Sequence, residues 1–340
     1  MRAICYSETG DESVLRLVDL AVPEPGPGQL RVRVHRSGVN PTDWKARQGS
    51  APGAPIDPPQ TPGQDGAGVV EAVGPGVEAA WTGLRVWIRE AAYQRPHGTC
   101  AEYCLVPVHQ VATLPDWAGY DLGASLGIPF MTAHRCLTVT EDGPKRLGPG
   151  ALAGRVVLVA GGAGAVGNAA IQLARWSDAR VIATVSSAAK GQLAAAAGAD
   201  VVINYRNQDV VPEIRKVAPH GVNTIVEVAA AANVGIDADV VAANGSIACY
   251  ADDGGKPINL PVRPSMVVNA RWQFVLIYTA PPAAKSRAVE DIADAVLDRA
   301  IRVGPEAGLP LHHFSLEDAA QAHGAVAAGQ VGKVLIDVGD

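Results

Sequence analysis

The stretch that decides the fold is Val156-Val157-Leu158-Val159-Ala160-Gly161-Gly162-Ala163-Gly164-Ala165-Val166-Gly167. Five apolar residues predict a buried strand, and three glycines then follow the spacing G-x-G-x-x-G at the start of a predicted helix. Such glycines permit a tight turn, let a pyrophosphate approach the backbone and allow the helix to pack against the strand. The helix N-terminus adds free N–H groups and partial positive charge. The strand before and the helix after favour a dinucleotide site over a plain glycine-rich turn. This site would comprise Gly162, Ala163, Gly164, Ala165, Val166 and Gly167.

The pattern around this stretch predicts a parallel sheet. From about residue 155 onwards, short apolar runs alternate with segments of helical periodicity. The predicted strands are 156–160, 181–185, 201–205, 224–228 and 246–250, and the predicted helices are 167–176, 188–197, 208–217 and 234–243. Apolar strands alternating with helices of about ten residues are typical of a doubly wound α/β sheet covered on both faces. Further helices are predicted at 285–303 and 316–328, and a last strand at 333–338.

The first 127 residues have a different texture. Short β-like runs at 1–6, 15–20, 30–35, 68–73 and 85–89 are separated by clusters of proline and glycine. Short strands at this spacing indicate an antiparallel, barrel-like domain. The proline-rich segment 49–63 is expected to be an extended, exposed loop.

Composition excludes several classes of protein. The 340 residues are 48% hydrophobic and 18% charged, which is ample for packed cores and favours two domains. A net charge of -6 argues against binding to nucleic acid or to a membrane surface. The first residues lack the pattern of a signal peptide, and no apolar run reaches the roughly 18 residues of a membrane span. Five scattered cysteines suit a reducing compartment, so a cytoplasmic protein is expected.

The end of the second strand of the parallel sheet indicates which dinucleotide binds. NAD sites place an acidic residue about 20 residues beyond the glycines, where it holds the ribose hydroxyls. Here the chain has Ser186 and Ser187, followed by Lys190, and the next strand ends at Tyr205. Hydroxyl groups and an ammonium would attract a 2′-phosphate that a carboxylate would repel. We therefore predict NADPH as the cofactor; the alternative is that Lys190 is a solvated helix residue.

Several motifs, taken in order, resemble the quinone oxidoreductase (zeta-crystallin-like) branch of the medium-chain dehydrogenase/reductase superfamily. They are Ser37-Gly38-Val39-Asn40-Pro41-Thr42-Asp43, the run from Pro62 to Gly74, Thr99-Cys100-Ala101-Glu102-Tyr103, Gly127-Ile128-Pro129-Phe130-Met131-Thr132-Ala133, and Gly329-Gln330-Val331-Gly332-Lys333-Val334. The resemblance covers nearly the whole chain. It implies a GroES-like β-rich catalytic domain (1–127 and 281–340) and a Rossmann NADPH-binding domain (128–280). It also implies a cleft between them and homodimers paired near 270–278.

Zinc divides this superfamily. Zinc-dependent relatives have Cys at the position of Asn40 and Gly-His-Glu at the position of Gly63-Gln64-Asp65. Their structural zinc lobe needs four cysteines, whereas here Cys100 and Cys104 form only a pair without further ligands nearby. No metal site is therefore expected. Without a Lewis acid, a conjugated acceptor is a better substrate than a simple ketone, because its charge delocalises.

The resemblance also implies roles for individual residues. Asn40 and Thr132 would touch the nicotinamide end of the cofactor, and Ala229 would lie beneath the ribose and the nicotinamide. Gly332 and Lys333 would close over the diphosphate. Asn40 and Asp43 are candidate catalytic residues, with an Asx-type turn as a second interpretation that is compatible with the first. Lys45 stands where many relatives have Tyr; it either donates a hydrogen bond to the reduced acceptor or points to solvent.

The predicted activity is NADPH-dependent reduction of a quinone. The nearest alternative is an NADPH-dependent enone, alkenal or enoyl-thioester reductase, which the sequence does not separate from it. A third possibility, from a different class, is a binding or structural protein that has retained the fold. The intact glycines and the apparent 2′-phosphate site argue against this third possibility.

Overall fold

The computed structural model describes residues 1–252 and 254–339, which form two compact units. The first unit is Met1–Ile128 together with the segment that starts at Leu311, and the second is Pro129–Pro310. The predicted domain boundary between residues 280 and 281 differs from this division. Residues 281–310 belong to the second unit. Asp291 in this segment is buried and accepts a hydrogen bond from the Leu147 N–H at 2.6 Å, and its Oδ2 lies 2.7 Å from His134 Nε2.

Strands dominate the beginning of the chain. They are β1 (Arg2–Glu8), β2 (Arg16–Asp19), β3 (Gln29–Val39), β4 (Pro55–Gln60), β5 (Asp65–Val73), β6 (Arg85–Ile88), β7 (Tyr103–Pro107) and β8 (Val111–Thr113). Two helices accompany them, α1 (Pro41–Gln48) after β3 and α2 (Tyr120–Leu137) after β8.

Strands and helices then alternate through the second unit. They are β9 (Val156–Ala160), α3 (Ala165–Trp176), β10 (Arg180–Val185), α4 (Ala188–Ala196), β11 (Val201–Asn204), α5 (Val210–Val217), β12 (Val222–Glu227), α6 (Ala230–Val240), β13 (Val241–Cys249), α7 (Val262–Val267), β14 (Arg271–Phe274) and α8 (Pro282–Leu297). All pairs are parallel, and the strand order is β11-β10-β9-β12-β13-β14. The order reverses beside β9, which makes the carboxyl end of this strand the topological switch point.

The end of the chain returns to the first unit with β15 (Leu311–Ser315), α9 (Ala319–Ala327) and β16 (Lys333–Asp337). One sheet of this unit has the order β15-β16-β3-β5-β6-β8, with β7 also paired to β3, and a smaller sheet has the order β2-β1-β4. Strand β3 pairs antiparallel with both β16 and β5, in the registers Val39↔Val334 and Gly38↔Asp65. The end of β3 therefore meets the starts of β5 and β16, and this junction positions the polar residues described below.

The predicted fold class, a β-rich unit and a doubly wound parallel sheet, is confirmed. Several elements differ from the predictions. The segment 49–63 contains β4, which pairs with β1 through Tyr6↔Gln60 and Glu8↔Pro55. Its prolines are compatible with a strand at the sheet edge, where N–H donors are not all needed.

Two helices were misplaced by the sequence pattern. Helix α6 covers Ala230–Val240 rather than 234–243, because its alanine-rich sequence has little amphipathic periodicity to mark its ends. Helix α8 ends at Leu297 rather than near 303. Among the described residues (1–252 and 254–339), no helix has the length and apolar content needed to cross a bilayer.

Candidate functional site

The glycine turn follows β9 directly and opens α3. Gly161 adopts a left-handed backbone conformation with φ of 70°, and Gly164 is the N-cap residue of α3, with φ of -79° and ψ of 162°. The Gly162 N–H donates to the Thr184 carbonyl at 3.1 Å, which ties the turn to the end of β10. The N–H groups in the first turn of a helix have no partner within the helix. Those of Ala165, Val166 and Gly167 thus provide the donors expected of an anion site.

The three glycines of the motif meet different surroundings. A Cβ on Gly162 would lie 2.8 Å from Ala183 Cβ, and one on Gly167 would lie 2.3 Å from the Gly161 carbonyl oxygen. Packing within the protein therefore requires both of these glycines. A Cβ on Gly164 would meet no atom closer than 3.4 Å, and Gly164 is exposed. The protein itself does not need a glycine at 164, so the bare backbone there is available to a ligand.

The carboxyl ends of β10 and β11 bring the predicted 2′-phosphate residues to one edge of the sheet. Strands β10 and β11 are adjacent and parallel, and Ser186 and Tyr205 each follow the last residue of one of them. Ser187 caps α4, and its Oγ accepts a hydrogen bond from the Lys190 N–H at 3.3 Å. Tyr205 is 47% exposed, and its N–H donates to the Val185 carbonyl. Two serines and a lysine thus follow the end of β10 along the chain, and no acidic residue stands between β10 and Lys190.

Ala229 is the N-cap residue of α6 at the same edge, next to a pair of buried acids that the sequence analysis missed. The Ala229 N–H donates to Glu227 Oε1, and Asn233 Nδ2 donates to both oxygens of Glu227, at 3.1 and 3.2 Å. Glu227 and Asp237 are each 1% exposed. Burial and then the neighbouring Glu227 carboxylate raise the pKa of Asp237 to about 9, so Asp237 keeps its proton at neutral pH. An acidic residue at the end of an apolar strand was the available signal.

The first unit contains a second group of candidate residues, which we call the buried polar cluster: Asn40, Asp43, Asp65 and Lys333. Their exposed fractions are 3%, 3%, 0% and 2%. Lys333 Nζ donates to Asn40 Oδ1 at 2.8 Å, and Asn40 Nδ2 donates to Asp65 Oδ2 at 2.7 Å. Lys333 Nζ also lies 3.5 Å from Asp65 Oδ2. The cluster joins the ends of three strands into one hydrogen-bonded network.

Asn40 also begins α1. It is the N-cap residue, Pro41 occupies the first helical position, and the Asn40 N–H donates to Asp43 Oδ2 at 2.7 Å. This capping box satisfies the interpretation of Asn40 and Asp43 as a local turn, and it continues into a helix that was not predicted. Asp43 is therefore fixed by its own backbone neighbourhood, beside the network formed by Asn40.

Burial controls the charges of the cluster. It raises the pKa of Asp43 to about 7; the N–H groups of Asn40 and Gly63 and the Lys333 ammonium oppose the rise, and Asp65 adds to it. Burial also raises the pKa of Asp65 and lowers the pKa of Lys333, and the attraction between these two groups opposes both shifts. We take the Asp65–Lys333 pair as charged, because each group faces an opposite charge and polar hydrogen-bond partners.

Lys333 has its partners within the first unit. Its side chain is directed into that unit and bonded to Asn40 and Asp65. The cause is the pairing of β16 with β3, which places the first residue of β16 beside Asn40. The contact with a diphosphate that the resemblance implies stays a prediction. Gly332, with φ of 109°, forms the turn before β16.

The remaining predicted site residues, Thr132 and Lys45, are not part of the buried polar cluster. Thr132 is 6% exposed on α2 and belongs to the second unit, whereas Asn40 belongs to the first. Lys45 is exposed on α1, and its ammonium lies 5.9 Å from the centre of the Trp44 ring. An exposed position is compatible with both interpretations of Lys45.

The side chains considered as zinc ligands, those of Asn40, Cys100 and Cys104, do not suit a zinc ion. Asn40 Oδ1 already accepts a hydrogen bond from the Lys333 ammonium, whose positive charge would repel a divalent cation at this position. The thiols of Cys100 and Cys104 are buried, which raises the pKa of both and brings that of Cys104 to about 12. They are therefore protonated, whereas zinc binds thiolates. In residues 1–252 and 254–339, no three His, Cys, Asp or Glu side chains are grouped so that they could hold a metal.

Comparisons with known proteins agree with this architecture. Residues 26–116 match the family model of the alcohol dehydrogenase GroES-like domain, and residues 165–294 match that of the zinc-binding dehydrogenases. The quinone oxidoreductase of Lama guanicoe is 32% identical over 340 residues, which cover 99% of this chain and 97% of that protein. A mycobacterial protein solved in complex with NADPH is 30% identical, with a TM-score of 0.80 over 99% of both chains. An NAD-dependent alcohol dehydrogenase is also 30% identical, with a TM-score of 0.85 over 100% of both chains. The chain therefore belongs to the quinone oxidoreductase branch of the medium-chain dehydrogenase/reductase superfamily.

Proposed function

We propose that this protein is an NADPH-dependent quinone oxidoreductase. The observation that carries the proposal is the glycine turn at the N-terminus of α3, beside a strand end at β10 that has serines and a lysine in place of a carboxylate. The relationship to the quinone oxidoreductase of Lama guanicoe supports the choice of acceptor, and the mycobacterial NADPH complex supports the choice of cofactor. When bound, the reduced nicotinamide supplies a hydride to the quinone.

The second unit would bind the cofactor through groups at one edge of its sheet. The first-turn N–H groups of α3 would hold the pyrophosphate, which Gly164 allows to approach the backbone. Ser186, Ser187 and Lys190 would hold the 2′-phosphate, with the phenol of Tyr205 beside them. Ala229, and Thr132 on α2, are proposed at the ribose and nicotinamide end. Gly332, which belongs to the first unit, is proposed at the diphosphate through its backbone.

The first unit would serve the acceptor through Asn40, Asp43 and Lys45. Reduction of a quinone to a hydroquinone consumes a proton as well as a hydride. Asp43 is suited to hold that proton, because its pKa of about 7 leaves it partly protonated near neutral pH. We propose that the reaction is independent of zinc, with hydrogen bonds stabilising a charge that the conjugated acceptor already delocalises. Stoichiometric zinc in the purified protein, measured by mass spectrometry, would contradict this part.

Two further properties complete the proposal. Strand β14 lies at the edge of the parallel sheet, where Phe274 is 62% and Leu276 is 56% exposed. These features support a homodimer formed by pairing of β14 with a second copy. The five cysteines are free thiols, four of them buried, which supports a reducing compartment such as the cytoplasm.

Substitution of Gly164 by alanine tests the cofactor site. Because the added Cβ has room within the protein, we expect the midpoint of urea unfolding to stay unchanged. The methyl group would instead separate the pyrophosphate from the backbone and raise the Kd for NADPH at least tenfold, measured by quenching of NADPH fluorescence. The matched control is Gly148→Ala, where a Cβ meets no atom within 4 Å. An unchanged Kd in Gly164→Ala would remove the proposed site.

Steady-state assays with 1,4-quinones and with alkenals then test the acceptor. We expect NADPH oxidation by the wild-type protein with the quinones at the higher kcat/KM. A preference above about 100-fold for alkenals corresponds to about 2.7 kcal/mol in the transition state and would favour the enone reductase instead.

A further inference from the structure

We propose that Lys333 and Asp65 are positioning residues that hold the Asn40 carboxamide in one orientation, and that this orientation is needed for hydride transfer rather than for cofactor binding. The inference rests on the proposed function, and it assigns to Lys333 a role different from contact with the diphosphate. Three observations support it: the pattern of hydrogen bonds to Asn40, the space reserved for its partners, and the isolation of the paired charges.

The hydrogen bonds discriminate between the two ends of the amide. Asn40 Oδ1 accepts from the Lys333 ammonium at 2.8 Å, and Asn40 Nδ2 donates to the Asp65 carboxylate at 2.7 Å. Rotating the amide by 180° would place its oxygen against the carboxylate and its NH2 group against the ammonium. An ammonium has only donors and an ionised carboxylate only acceptors, so both contacts would become repulsive. A neutral pair of partners would not select the orientation so strongly.

The fold reserves space for both partners of Asn40. A Cβ on Gly38 would lie 2.9 Å from Lys333 Cε and 2.1 Å from the Ala124 carbonyl oxygen. A Cβ on Gly127 would lie 2.0 Å from Asp65 Oδ1. Asp65 Oδ1 also accepts a hydrogen bond from the Ile128 N–H at 2.8 Å, which fixes the carboxylate itself. Gly38 and Gly127 thus leave the space that the lysine and the aspartate occupy, and the Ile128 N–H fixes the carboxylate beside the amide.

The paired charges are buried in a way that stability alone does not explain. Lys333 and Asp65 are 2% and 0% exposed, and placing two charges in such a position is seldom more favourable than apolar packing. Their presence is explained if the reaction needs the directional hydrogen bonds that they form with Asn40. The direction of the second hydrogen of Asn40 Nδ2 is fixed once the partners of the amide are fixed.

Lysine variants separate positioning from phosphate binding. Lys333→Met keeps an unbranched stem but removes the donor, and we expect the single-turnover rate of NADPH oxidation by a quinone to fall at least 30-fold. The Kd for NADPH, measured by fluorescence quenching, should stay within threefold of the wild-type value. Lys333→Arg should recover part of the rate, and Lys216→Met, at an exposed lysine, should leave both quantities unchanged. A large rise in Kd with an unchanged rate would overturn the inference in favour of the diphosphate contact.

Two further measurements guard against a trivial loss of folding. The double variant Lys333→Met/Asp65→Asn carries no uncompensated charge. We expect its rate to be no lower than that of Lys333→Met, because both substitutions disrupt the same set of hydrogen bonds to Asn40. Additive losses would argue against a shared role.

The Asn40 side-chain NH2 signals in protein labelled with 15N-asparagine report on the amide without any turnover. We expect slow hydrogen exchange for these signals in the wild type and fast exchange in Lys333→Met; identical exchange would overturn the inference. If the wild type does not reduce quinones, the proposed function fails, while these signals still decide whether Lys333 positions Asn40.

Discussion

Replacing Asp237 by asparagine should make the protein less sensitive to alkaline pH. Asp237 is 1% exposed beside Glu227, and its pKa is raised from 3.8 to about 9. Between these two values the folded protein keeps a proton that the unfolded chain releases. The free energy of unfolding therefore falls as pH rises, by about 1.4 kcal/mol per pH unit from this group. Between pH 5 and pH 8 the loss is on the order of a few kcal/mol and belongs to the Glu227–Asp237 pair as a whole.

Asparagine at this position is matched in size and cannot lose a proton. Its NH2 group can donate to Glu227 as the protonated carboxyl group of Asp237 does, so the local hydrogen bond is preserved. Relative to the wild type, Asp237→Asn should gain stability steadily from pH 5 to pH 8.

Urea unfolding of both proteins at pH 5, 6, 7 and 8 measures this gain. Asp239→Asn, an exposed acid on the same helix α6, is the matched control and should show no such trend. A difference between Asp237→Asn and the wild type that stays constant with pH would refute the reasoning, since it would mean that Asp237 is ionised throughout.

Three further predictions concern the glycine turn, the helix after β10 and the edge strand β14 of the second unit. Gly167→Ala should lower the free energy of unfolding by about 2–3 kcal/mol in urea, because its Cβ would overlap the Gly161 carbonyl; a stability like that of Gly164→Ala would contradict the packing argument. Lys190→Ala should reduce the preference for NADPH over NADH, as a ratio of kcat/KM values, at least tenfold, and an unchanged ratio would exclude Lys190 from the 2′-phosphate site. Phe274→Asp should shift the sedimentation coefficient from dimer to monomer, and a dimer that persists would place the subunit interface elsewhere.

The parallel sheet could be predicted because its signals are local. Apolar strands such as Val156–Ala160 are buried on both faces, and the glycine turn follows directly in the sequence. Helix α1 could also have been predicted. Asn40, Pro41 and Asp43 form a capping box with proline at the first helical position, but the absence of an apolar face on the helix obscured it.

The environment of Lys333 could not be predicted in the same way. It depends on contacts between residues 40, 65 and 333, which the registers of β3 with β5 and with β16 bring together. A basic residue after a glycine near the end of a chain suggests a phosphate ligand equally well. Only the strand pairing shows that the lysine is directed inward. The Glu227–Asp237 pair was missed for a related reason, since one acid ends a strand and the other lies on the following helix.

The order of residues in the two units has a consequence for synthesis on the ribosome. The second unit is one continuous segment, Pro129–Pro310, and all its strands have been made before Leu311 emerges. The first unit cannot close its larger sheet until β16 arrives and lies against β3. Until then, the side chains of Asp65 and Asn40 lack the Lys333 ammonium, and one edge of β3 is open near its end. The nascent protein can thus form the parallel sheet and the glycine turn of its second unit early, whereas the buried polar cluster of the first unit is among the last contacts to form.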